Sequence, residues 1–216
     1  NCAVLDGFGA KQVRVEVDIA RGLPNFTLVG LAENSVKESR VRVQAAISNA
    51  GYDFPKAKIA VNLAPADVQK SGTAFDLTIA IAILLASGVI SKDKVEGVAA
   101  IGELSLTGEI RPVRGMLALA ESINAQGAQT LLVAEENAQE AALIKGLTVK
   151  IIRTFGELVE ALVKDKVAEL PSYNHHQLSE HQEHFLDMHD VGDALLATGF
   201  AEPVMDVDVV TLDCDS

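Results

Sequence analysis

V-N-L-A-P-A-D-V-Q-K-S-G-T-A-F-D-L, residues 61–77, and I-G-E-L-S-L-T-G-E-I-R-P-V-R-G, residues 101–115, decide how this chain reads. The first opens as the end of an apolar strand (residues 57–63), breaks at Pro65 and Gly72, and starts a helix at Thr73. From residue 73 to residue 88 the segment is apolar nearly all round, which predicts a central helix buried on most sides. Asp76, three residues after Thr73, stands where a carboxylate meets the free N–H groups and positive pole of that helix; the other reading is a polar pocket. In the second stretch Gly108, Pro112 and Gly115 read as turn formers. Glu103 reads either as a carboxylate satisfied beside Arg111 or as part of a cleft.

Around these stretches the periodicity alternates. Val13, Val15, Val17 and Ile19 interleave with Arg14, Glu16 and Asp18, the period of a strand with one buried face. A turn at residues 21–25 leads to a second strand at 26–29, read as an antiparallel hairpin. Ser35 with Glu38 reads as a capping box, opening a helix that carries Val36, Val43, Ile47 and Ala50 and stops at Gly51. Short strands at 97–103, 129–134 and 149–152 alternate with helices at 116–126, 137–144 and 154–164, the last opened by Thr154 and Glu157. The pattern predicts an α/β (α+β) fold with mixed strand directions.

Charge divides the chain. Residues 1–170 hold all 18 Lys and Arg against 20 Asp and Glu, whereas residues 171–216 hold 10 acids, no Lys or Arg, and all five His. The organisation expected is a domain over 1–166, a polar linker over 167–186 and an acidic tail over 187–216, with a helix at 191–198 and a strand at 204–212. His175, His176, His181 and His184 crowd the linker, where a solvated tract is the expectation over a zinc site. The longest apolar run, 77–85, is roughly half the ~20 residues needed to span a bilayer. Two cysteines at opposite ends suit a reducing compartment, and a cytoplasmic location is expected.

Motif after motif, in order, residues 4–164 resemble the N-terminal domain of the ComM/YifB family of magnesium chelatase-like AAA+ ATPases. The stretches that carry this are G-L-P-N-F-T-L-V-G-L at 22–31, V-K-E-S-R-V-R-V-Q-A-A-I at 36–47, Phe54-Pro55, V-N-L-A-P-A-D, F-D-L, G-E-L-S-L-T-G, R-P-V-R-G and E-E-N-A at 135–138. The resemblance implies a Lon peptidase-like arrangement of β and α layers. A Lon-type site pairs a serine at a helix start with a neutral lysine that takes its proton. The matching positions here are Ala74 and Leu117, so no catalytic residue is expected.

The family further implies an AAA+ motor, assembly as a hexamer, and DNA branch migration during natural transformation. No G-x-x-x-x-G-K-[ST] occurs in this sequence, so ATP and Mg are expected only with the family's motor. Lys37, Arg40, Arg42, Arg111 and Arg114, with Lys56, Lys58 and Lys70, read as a solvated face, a subunit contact or a DNA contact. Residues 187–206 resemble the distal part of biotin-pathway malonyl-carrier methyltransferases. No glycine-rich cofactor loop precedes them, and a truncated or rearranged reading frame is the expected origin.

Overall fold

The computed structural model describes residues 2–7 and 9–173. A four-stranded sheet has the order β1-β2-β4-β3, with β1 Cys2–Asp6, β2 Gly9–Ala20, β3 Asn25–Val29 and β4 Lys58–Ala64. β1 and β2 form an antiparallel N-terminal hairpin. The expected hairpin of β2 with β3 is not made: β4 lies between them, antiparallel to β2 and parallel to β3. The reason is burial. β4 hides Ile59, Val61 and Leu63 on one face, whereas no residue of β3 is fully buried, so β4 takes the interior position and β3 the edge. At the end of β3, Gly30 has φ +105°, and a Cβ there would lie 2.2 Å from the Leu63 carbonyl oxygen. Only glycine lets the two backbones approach so closely.

The stretch read as one helix from Ser35 is two: α1 Asn34–Lys37 and α2 Ser39–Asn49. The Ser35 capping box does not form, because a tertiary partner takes the hydroxyl: Ser35 Oγ accepts the Gly72 N–H at 3.2 Å. The central helix α3, Asp76–Ala86, buries Leu77, Ile79, Ala80, Ile83 and Leu84. Its start is held by the Leu77 N–H donating to Gly102 O and by Thr78 Oγ1 donating to Ala100 O at 2.7 Å.

Beyond it come β5 Val98–Ala100, the hairpin strands β6 Glu103–Leu104 and β7 Ile110–Arg111, α4 Met116–Ala125, β8 Thr130–Val133, α5 Glu135–Ala141, β9 Thr148–Ile151 and α6 Phe155–Val163. β5, β8 and β9 make a parallel sheet in the order β5-β8-β9. The mixed α/β class read from the sequence is therefore the class observed. The Thr154 box does form: Thr154 Oγ1 accepts the Glu157 N–H at 3.2 Å, and Glu157 Oε2 accepts the Arg153 N–H at 3.0 Å.

The folded unit runs past the expected boundary at residue 166. A 3-10 turn at Val167–Glu169 is anchored by the buried Lys150, whose Nζ donates to Ala168 O at 2.6 Å and Leu170 O at 2.8 Å. Pro171 and Tyr173 then bond to the backbone of β9. Lys150 satisfies carbonyls that a linker would leave to water, a contact that composition cannot disclose. The histidine tract, the helix expected at 191–198 and the strand expected at 204–212 lie outside the described residues. Among the described residues no helix is long and apolar enough to cross a membrane.

Candidate functional site

The two deciding stretches meet. The loop before α3, the start of β6, the R-P-V-R-G loop and β1 enclose an open cleft of about 360 Å³. Its polar lining comes from Ser71, Thr73, Glu103 and Arg114, and Ala74 stands among them with its methyl group. Thr73 Oγ1 donates to Glu103 Oε2 at 2.5 Å. Glu103 also faces Arg111 across the β6–β7 hairpin, with 4.0 Å between Oε1 and Nη1. The satisfied carboxylate beside Arg111 and the cleft wall are thus one and the same residue.

Asp76 does not cap its helix. As the first residue of α3 it receives Arg42 in a fork, Nε to Oδ2 at 2.6 Å and Nη2 to Oδ1 at 3.0 Å. The Leu104 N–H donates to Oδ2 at 3.2 Å, and Arg42 Nη2 also reaches Ser35 O at 3.2 Å. Asp76 is 1% exposed and Arg42 17%. Burial pushes the Asp76 carboxyl upward, while Arg42 and the Leu104 N–H pull it down; the carboxylate in turn holds Arg42 more firmly protonated. The Arg42–Asp76 pair is a buried fork in which the carboxylate accepts three hydrogen bonds. It ties α2, α3 and β6 together directly behind Ala74.

Leu117, the other position the resemblance marks, is the second residue of α4 and 44% exposed. Its N–H donates to Glu140 Oε2 at 3.2 Å, and the cleft wall from α4 is Leu119. The loop ahead of it is clamped by Asn137, whose side chain donates to Val113 O and accepts from the Val113 N–H, both at 2.8 Å. Asn137 is 4% exposed and fixes the second stretch, a role that E-E-N-A does not announce as a sequence motif.

The basic residues are not brought to one face. Arg42 faces inward against Asp76. Arg40 lies 5.8 Å over the Phe26 ring, Arg114 lines the cleft, and Arg111 borders a separate groove beside Glu109, Glu135 and Glu136. Lys37 ends α1 in solvent. Lys70 is fully buried, bonded through Nζ to the Pro65 carbonyl oxygen, and burial lowers its pKa. Acyl transfer needs a nucleophile, a base and oxyanion donors converging on one point. The titratable groups lining this cleft are Glu103 and Arg114, and a guanidinium accepts no proton.

A family model described as "Subunit ChlI of Mg-chelatase" matches residues 15–137. YifB of Escherichia coli (strain K12) is 46% identical over 140 residues, covering 65% of this chain and 28% of YifB. The competence protein ComM of Haemophilus influenzae is 39% identical over 156 residues, covering 72% and 30%. A Lon protease of Aster yellows witches'-broom phytoplasma is 28% identical over 140 residues, covering 62% and 17%. A malonyl-[acyl-carrier protein] O-methyltransferase of Gallionella capsiferriformans is 40% identical over 65 residues, covering 29% and 22%. The chain spans under a third of the length of each of these relatives.

Proposed function

Because the chain belongs to the family of the Mg-chelatase subunit ChlI, in the branch of YifB and ComM, we propose that it is a non-catalytic regulatory and assembly domain. In this reading it packs against an AAA+ motor, shapes entry to a hexameric ring, and leaves ATP, Mg and any DNA to that motor. It works in the cytoplasm. One observation supports the proposal: the cleft presents a methyl group at Ala74 where a Lon-type site needs a serine, and Leu117, the position matching the lysine, lies outside the cleft lining and carries no base. The surrounding polar groups are engaged in holding the loops, Asp76 with Arg42 and Thr73 with Glu103.

The experiment has two arms. The purified chain is exposed to a fluorophosphonate probe, and separately titrated with the part of E. coli YifB beyond the matched segment. No labelling together with saturable binding supports the proposal; stoichiometric labelling, or no binding, contradicts it. The short Thr73–Glu103 hydrogen bond favours a second reading, a hydrolase with Thr73 as nucleophile. Labelling abolished by Thr73→Val would establish that reading.

A further inference from the structure

Three stretches that carry the resemblance take no part in the cleft: G-L-P-N-F at 22–26, the first turns of α2, and Phe54-Pro55. The fold gathers them at the end of the sheet where β3 and β4 begin, around an open groove of about 270 Å³. Phe26 and Phe54 give it apolar wall; Arg40, Gln44 and Lys56 give it donors. The Arg40 guanidinium lies 5.8 Å over the Phe26 ring. A guanidinium so placed spends its face on the ring and keeps its in-plane N–H groups free for a carboxylate. Arg40 and Lys56 are exposed, and neither forms an ion pair among the described residues. Asp53 is the one acid in the lining.

We propose that this groove binds an acidic peptide segment of a partner protein, with a large apolar side chain against Phe26 and Phe54 and flanking carboxylates on Arg40 and Lys56. An inorganic anion gains little from two solvent-exposed cations, and it leaves the apolar wall unused. The groove is separate from the Ala74 cleft, and the inference does not rest on that cleft being inert.

The probe is N-acetyl-Glu-Phe-Glu-amide, titrated at millimolar concentration into the uniformly ¹⁵N-labelled 216-residue chain and followed by amide chemical shifts. Saturable shifts at Phe26, Arg40, Gln44 and Lys56 are expected. Combining Arg40→Gln with Lys56→Gln, or replacing the probe by N-acetyl-Glu-Gly-Glu-amide, weakens binding at least about tenfold; Lys37→Gln leaves it unchanged. The proposal is overturned by no shifts, by shifts confined to other residues, or by equal affinity for the glycine probe. It is equally overturned if an oligothymidylate shifts the same amides at lower concentration.

Discussion

Behind Ala74, Asp76 and Arg42 pay their desolvation cost through mutual contact, and each depends on the other. Arg42→Ala leaves a carboxylate buried with only the Leu104 N–H, and should cost about 3–5 kcal/mol in urea unfolding. The paired replacement Arg42→Met with Asp76→Leu should cost clearly less, because no lone charge remains. Lys70 gives a pH signature. Its folded-state pKa lies below the 10.5 of an ordinary lysine, so between the two values the unfolded chain holds a proton that the folded chain lacks. Stability therefore rises with pH across that window. The difference in urea midpoint between wild type and Lys70→Met should move in favour of wild type as pH climbs from 7 towards 10.5; a pH-independent difference would contradict this.

At the level of elements, the sequence disclosed what is local. The alternation of β2, the apolar girth of α3 and the Thr154 box are written in neighbouring residues, and all three appear in the fold. Thr154→Ala should destabilise α6 by about 1 kcal/mol, read as a shift in thermal midpoint. What stayed hidden depends on partners far along the chain. The Ser35 hydroxyl goes to Gly72, Asp76 goes to Arg42, and β3 finds β4 rather than its sequence neighbour β2. None of these pairings leaves a periodic trace. Asn137 is the same case: with one side chain it replaces both backbone partners of Val113. Asn137→Ala should cost about 1–3 kcal/mol and speed hydrogen exchange at the Val113 amide, with the β8 amides unaffected.

For the whole molecule, the two deciding stretches line one cleft. The identities of Ala74 and Leu117 are legible directly from the sequence. The position of Leu117, half-exposed and with Leu119 forming the cleft wall, is not, because it depends on how α4 is rotated about its axis. The extent of the folded unit was also misjudged, since Lys150 secures residues that composition alone assigns to a linker. Together these features describe a mixed α/β frame whose polar groups hold loops in place. The most direct test is the initial rate at which the purified chain hydrolyses a quenched fluorescent peptide pool, beside its Thr73→Val variant. Both rates should equal that of buffer; turnover that co-elutes with the chain and falls at least about 100-fold in Thr73→Val would show that the cleft is an active site after all.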